Sequence, residues 1–206
     1  AGAVIPETRF NGSVSPDKVF GALNYALDEF KQIKSLVDGA TINDVALAIV
    51  GGALRSYLQK HNELPETSLI GWCPVNARKS DAGAQESGNS LSAMTLPIGT
   101  DIDDPLQRLK AVRRLTAASK AAESGMGARM LTDLIQHIPS ATVAVLARIM
   151  SNERFTPRFC NLFVSNVPGS PTPQYMAGAK CTHQYGLAPL GNGMGLFVAV
   201  GSYNGS

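Results

Sequence analysis

Three glycines at alternate positions, Gly191, Gly193 and Gly195, run directly into the apolar stretch Leu196-Phe197-Val198-Ala199-Val200-Gly201. That stretch is too short for a helix and reads as a buried strand. A dinucleotide-binding fingerprint needs the opposite order, a strand before the glycines and a helix after them to receive the pyrophosphate. The segment therefore cannot be a cradle of that type. Its backbone must instead pass close to something, another chain segment or a substrate, where a Cβ would not fit.

The rest of the chain alternates between helix-like and strand-like pieces. Val19 to Leu27 reads as a strand, and Asp28 to Val37 as a helix with Phe30, Ile33 and Val37 on one face, closed by Gly39. A long helix is expected from Ile42 to Lys60. Leu69 to Val75 and Leu91 to Ile98 read as strands flanking a polar loop, Asn76 to Asn89. Asp104-Pro105 is a helix start with an N-cap and a proline at the first helical position. That helix should reach Glu123 with Leu106, Leu109, Val112 and Leu115 turned inward. Two shorter helices, Ala128 to Ile138 and Ser140 to Ser151, precede an all-strand-and-turn end from Cys160 to Tyr203. The order predicts an α/β (α+β) fold, a mixed β-sheet flanked by helices.

Composition excludes several function classes. The 206 residues are 44% hydrophobic, enough for one large core or two small ones. A net charge of +2 argues against a nucleic-acid binder held by phosphate contacts. Cys73, Cys160 and Cys181 form no close pair and no metal-ligand spacing, which fits a reducing compartment and no metal. Neither a signal peptide at Ala1-Gly2-Ala3-Val4-Ile5-Pro6 nor a membrane span of roughly 20 apolar residues is present in the sequence.

Two short motifs each carry a structural and a functional reading. Thr41 and Asp44 have the spacing of an N-cap hydroxyl and an N3 carboxylate, which accounts for Asp44 as a capping residue. Asn43 has no such duty and is free to point off the helix start. The same helix contains Gly51 and Gly52, each costing ~1 kcal/mol against alanine, so it should pack backbone-close against a sheet or a neighbouring domain. In Leu162-Phe163-Val164-Ser165-Asn166-Val167-Pro168-Gly169, a buried strand ends in a Pro-Gly turn. Ser165 and Asn166 either bond local backbone as the strand ends or present polar groups to a reacting carbonyl or hydroxyl.

Taken together, Asn43-Asp44-Val45, Pro74-Val75-Asn76-Ala77-Arg78, Ser165-Asn166-Val167-Pro168-Gly169 and Pro189-Leu190-Gly191 resemble the C-terminal half of the bacterial wax ester synthase/diacylglycerol acyltransferase (WS/DGAT) family. The resemblance covers nearly the whole chain. It implies the fold of the CoA-dependent acyltransferases, two similar domains with the active site in a channel between them. Residues 1–15 would end the interdomain linker and 16–206 would form the C-terminal acyltransferase domain, truncated at its C-terminal end. The family's His-His-x-x-x-Asp-Gly signature is absent, and His61, His137 and His183 stand alone. The chain is therefore expected to be a fragment, inactive by itself, that works with the N-terminal half of the same protein.

The resemblance implies a fatty acyl group moved from acyl-CoA, a co-substrate and not a resident cofactor, to a long-chain alcohol or diacylglycerol. A histidine of the other half would act as general base, and the tetrahedral oxyanion would need preorganised donors. Asn43 and Asn166 are the candidates for polar groups facing the channel, with Asp44, Ser165, Pro168 and Gly169 in support. Pro189, Leu190 and Gly191 would shape the channel or the domain interface, and Arg78 could meet a CoA phosphate. The basic residues Arg108, Lys110, Arg113, Arg114 and Lys120 read as a polar helix face. The apolar stretch from Met130 to Met150 reads as buried helices or as a lipid-facing surface. The expected location is cytoplasmic, with peripheral contact at the inner membrane or lipid inclusions. Two other readings stand beside this one: a non-catalytic lipid- or partner-binding domain, and a condensation-type acyltransferase using a carrier-bound thioester.

Overall fold

The computed structural model describes residues 5–76, 91–123 and 160–206. Three helices, α1 (Leu27–Ser35), α2 (Ile42–Lys60) and α3 (Pro105–Glu123), accompany a four-stranded sheet and a small hairpin. The sheet contains β1 (Ile70–Asn76), β2 (Leu91–Pro97), β3 (Leu162–Pro168) and β6 (Phe197–Ser202) in the order β2-β1-β3-β6. The two-residue strands β4 (Tyr175–Met176) and β5 (Ala179–Lys180) form the hairpin. β1 and β2 pair antiparallel over their whole length, whereas β1 with β3 and β3 with β6 are parallel. The sheet is mixed and flanked by helices, as the alternation of elements predicts.

Side chains alternate along the strands and sort the sheet into two faces. Cys73, Met94, Leu96, Leu162 and Val164 are buried in one core with Val45, Leu47 and Leu58 of α2 and Leu109 and Val112 of α3. Phe30, Ile33 and Val37 pack against the same core from α1 and its C-terminal turn. Trp72 and Phe163 lie on the other face, their rings edge-on at 4.8 Å.

Both long helices start where their caps place them. Asp104 Oδ1 accepts the Gln107 N–H at 2.7 Å, the N-cap bond expected ahead of Pro105. Gly51 and Gly52 are explained by close packing. A Cβ on Gly51 would sit 2.0 Å from the Ile98 carbonyl oxygen, and one on Gly52 would sit 2.4 Å from Arg108 Nη1. The helix is thus seated on the chain leaving β2.

Several expectations need correction. Val19 to Leu27 is not a strand: residues 15–26 are exposed without regular structure, and α1 begins at Leu27. Among the described residues no strand pairs with this segment, and a strand without a neighbour leaves its backbone groups to water. Leu106 is 38% exposed on the first turn of α3 and does not turn inward. Arg108 does not belong to a solvated face. Its guanidinium is buried and donates to the carbonyls of Gly99, Ile102 and Asp103 in the loop after β2. Gly39 has a left-handed φ of +66°, but it sits three residues beyond Leu36, the C-cap. Arg78 and the two helices expected between Ala128 and Ser151, with His137, lie outside the described residues.

The glycine-rich stretch meets another part of the chain. Gly195 donates its N–H to the Phe10 carbonyl at 2.7 Å, and a Cβ there would lie 3.1 Å from the same oxygen. Gly193, at φ +82°, donates to the Gly12 carbonyl. Nothing crowds Gly191, which only closes a turn with Met194.

Two buried asparagines hold this junction. Asn161 Oδ1 accepts the Ile70 N–H at 2.8 Å, and its Nδ2 donates to the Pro6 carbonyl and to Asn11 Oδ1. Asn11 Nδ2 in turn donates to the Gly193 carbonyl at 2.9 Å. Replacing Asn161 with alanine leaves buried donors and acceptors unpaired at about 1–3 kcal/mol for each group. Asn161→Ala is expected to lower unfolding free energy by about 3 kcal/mol, read as a shift of the denaturant midpoint. An unchanged midpoint would mean that water takes over these bonds.

Candidate functional site

The expected site residues divide between the two ends of β3. At its carboxyl end, Asn166 Nδ2 donates to Asn43 Oδ1 at 3.2 Å, joining residues 123 positions apart. Asn43 is held there by the start of α2. The Asp44 N–H donates to Thr41 Oγ1 at 3.2 Å, while the Thr41 N–H and hydroxyl both donate to Asp44 Oδ2 at 2.8 Å. This is the capping box, and it confirms the structural reading of Asp44. The other carboxylate oxygen of Asp44 accepts the Thr116 hydroxyl of α3 at 2.6 Å. Asp44 is fully buried, so it supports Asn43 from below and has no access to a ligand.

Neither Asn43 Nδ2 nor Asn166 Oδ1 has a partner among the described residues, and both side chains are half-buried. The pair therefore keeps amide N–H donors free at the helix N-terminus, where the backbone dipole also favours developing negative charge. Ser165 is half-buried next to Asn166, but its side chain points to the opposite sheet face. Pro168 ends the strand. Gly169 follows, where a Cβ would lie 2.1 Å from the Ser202 carbonyl oxygen. Only glycine allows the turn to pass β6 at that distance.

The sheet topology favours this edge for binding. In sheets with parallel strands, ligands settle outside the carboxyl ends of those strands. Here the parallel pairing of β1 and β3 covers only Gly71↔Leu162 and Trp72↔Phe163. Two residues on, Pro74 has no N–H to donate, and the carboxyl halves of β1 and β3 share no ladder pairs. Asn166 lies on the half of β3 that pairs with β6 but not with β1.

Among the described residues no hydrogen bond joins Pro189, Leu190 or Gly191 to this pair. They lead into the turn at Gly193 and Met194, and Met194 Sδ lies 3.7 Å from Cys160 Sγ, at the amino end of β3. From Asn161 to Asn166 is five strand residues, roughly 17 Å. A cleft of about 490 Å³ near Ser68, Ile102 and Leu115 includes neither asparagine of the pair. Its lining includes Glu66, Asp101 and Arg114.

No thiol supplies a nucleophile at the pair. Burial pushes the Cys73 thiol up to about 12, with the nearby Cys160 adding to the shift. Burial raises Cys160 to about 11. His61 and His183 are both exposed on the protein surface. Among the described residues no group of His, Cys, Asp and Glu is arranged to hold a metal ion.

Thr116, Asn11 and Asn161 escaped the sequence reading. Thr116 sits mid-helix among alanines and carries no local signal. Asn161 could have been noticed as a polar residue at the threshold of an apolar strand.

Comparison with known proteins agrees with the layout of the motifs. Residues 87–206 match the WS/DGAT C-terminal domain. A Mycobacterium tuberculosis protein named as a candidate diacylglycerol O-acyltransferase is 37% identical over 203 residues, 98% of this chain and 40% of that protein. The O-acyltransferase WSD of Acinetobacter baylyi is 36% identical over 200 residues, 96% of this chain and 42% of that protein. The chain thus spans about two fifths of the length of these relatives. In structure, it is similar to the wax ester synthase/diacylglycerol acyltransferase of Marinobacter aquaeolei VT8. The TM-score is 0.76 at 23% identity, covering 98% of this chain and 44% of that one, which shows the fold.

Proposed function

Since the chain belongs to the WS/DGAT C-terminal domain family, we propose that it supplies the donor-bearing half of an O-acyltransferase. The reaction moves a fatty acyl group from acyl-CoA to a long-chain alcohol or a diacylglycerol, giving wax ester or triacylglycerol. The observation that carries this reading is the Asn43–Asn166 pair at the carboxyl edge of the sheet, with amide N–H groups that have no partner among the described residues. The printed names of the relatives, diacylglycerol O-acyltransferase and O-acyltransferase WSD, support the same reaction class.

In the reaction, a histidine of the N-terminal half takes the hydroxyl proton of the acceptor. The oxygen attacks the thioester carbonyl, and negative charge develops on the carbonyl oxygen. Asn43 and Asn166 donate N–H bonds to that charge. The tetrahedral intermediate then collapses, the C–S bond breaks, and CoA departs after taking the proton as a thiol. Asp44 and Thr116 hold Asn43 in place. Arg78 follows the carboxyl end of β1 in sequence and is assigned to a CoA phosphate. Pro189, Leu190 and Gly191 serve the domain interface rather than the reacting centre.

Among the described residues no helix is long and apolar enough to cross a membrane. Access to lipid acceptors is assigned to peripheral contact at the inner membrane or lipid inclusions.

The test is an assay of the full-length parent with palmitoyl-CoA and either hexadecanol or a diacylglycerol, following thiol release and ester formation. Ester formed with release of one thiol per turnover is expected. A folded parent that makes no ester from palmitoyl-CoA, or accepts only a carrier-bound acyl group, would overturn the proposal.

A further inference from the structure

Three asparagines of this chain are followed directly by glycine: Asn11, Asn192 and Asn204. Such a step is open to a reaction within the chain itself. The glycine nitrogen gives up its proton and attacks the side-chain amide carbon of the asparagine, ammonia leaves, and a succinimide ring closes. Water then opens the ring at one carbonyl or the other, giving aspartate or isoaspartate. Glycine permits the attack because it has no Cβ to crowd the nitrogen or to restrict the backbone rotation that ring closure needs. The dipeptide is the same at all three places, so the fold decides which of them reacts.

Two of the three are tied down. Asn11 is buried, its Nδ2 donating to the Asn161 and Gly193 carbonyls and its Oδ1 accepting from Thr8 and Asn161. At Asn192, Oδ1 accepts the Val14 N–H at 3.0 Å, and the attacking nitrogen, that of Gly193, donates to the Gly12 carbonyl at 3.0 Å. Both reacting groups there are engaged. Freeing them means opening the clasp between the segment at Phe10 to Val14 and the turn before β6, and local opening becomes rarer as more bonds must break together.

Asn204 is held differently. It is exposed, and with Gly205 it forms the centre of a tight turn in which Tyr203 and Ser206 exchange both backbone bonds, at 2.9 and 3.0 Å. The two central residues have left-handed φ angles of +47° and +88°, as a type I′ turn requires. Neither the Asn204 side chain nor the Gly205 N–H has a hydrogen-bond partner among the described residues. Only the outer bonds of the turn restrain the reacting pair.

We propose that Asn204 is a deamidation site, and that its isoaspartate product loosens the turn that joins α1 to the chain leaving β3. The Asn204 N–H donates to the Ser170 carbonyl at 2.9 Å, and the Leu27 N–H, the first of α1, donates to the Gly205 carbonyl at 2.9 Å. Isoaspartate sends the main chain through the side-chain carbon, so an extra methylene separates these two anchors. It also leaves a carboxylate where a neutral amide stood. A lengthened turn no longer fits both anchors at once.

Peptide mapping of the full-length parent held at mildly alkaline pH, with isoaspartate read by enzymatic methylation, tests this without any assay of acyl transfer. The peptide bearing Asn204 is expected to convert at least tenfold faster than those bearing Asn192 and Asn11. In denaturant the three rates should come within about threefold of one another, because only the fold separates them. An unconverted Asn204 in the folded parent, or one outpaced by Asn192 or Asn11, would overturn the proposal. So would a tenfold lead that survives in denaturant, since local sequence and not the fold would then set it. Hydrogen exchange at the Leu27 amide reads the consequence. It should be at least tenfold faster in the isoaspartate form, and an unchanged rate would overturn the loosened turn.

Discussion

Asn166→Ala in the full-length parent is expected to lower turnover more than tenfold while the protein stays folded. The side chain is half-buried, and its one bond within the described residues goes to Asn43, so its loss should move the thermal midpoint little. The kinetic effect is different in kind. Loss of one preorganised donor to an oxyanion typically costs about 10²–10³ in rate, and each tenfold is about 1.4 kcal/mol of transition-state stabilisation. Asn43→Ala should act in the same direction. Because the two amides bond each other, the double variant should lose less than the product of the single losses. Unchanged turnover in Asn166→Ala would take the residue out of the site, and with it the observation on which the proposed function rests.

Gly51→Ala is expected to destabilise the domain by about 3 kcal/mol, a large share of a typical total of about 5–15. The direction runs against helix propensity, which alone would reward alanine by ~1 kcal/mol. A Cβ at 2.0 Å from the Ile98 carbonyl oxygen meets backbone and not a movable side chain, so α2 would have to lift off the chain leaving β2. Gly52→Ala is the control. Its Cβ would meet Arg108 Nη1 at 2.4 Å, the far end of a flexible side chain, and should cost less. Denaturant midpoints for both variants check the ranking. A neutral Gly51→Ala would show that α2 is not seated as described.

Helix boundaries were legible because their causes are local. Thr41 with Asp44, and Asp104 with Pro105, announce the starts of α2 and α3, and both helices run over the expected residues. The close approach of the two mid-helix glycines was also legible, since glycine there is costly without a packing reason. The strand expected over Val19 to Leu27 was misread because apolar content was taken for burial. Strand formation depends on a neighbour, and these residues have none among the described residues. Arg108 was misread for a related reason. Helical periodicity places it among other cations, but three carbonyls from the loop after β2 satisfy its guanidinium.

By itself the sequence determined the order and type of the main elements, the caps, and the motifs that mark the family. Each of these rests on interactions within a few residues or on patterns repeated along the chain. Only the tertiary structure decided which motifs meet. Asn43 and Asn166 come together at one edge because α2 starts over the carboxyl end of β3. Gly193 and Gly195 serve the segment at Phe10 to Gly12 because that segment is clasped by Asn11 and Asn161 at the other edge. Contacts between residues more than a hundred positions apart depend on how the layers close over a shared core, and no local spacing encodes that closure.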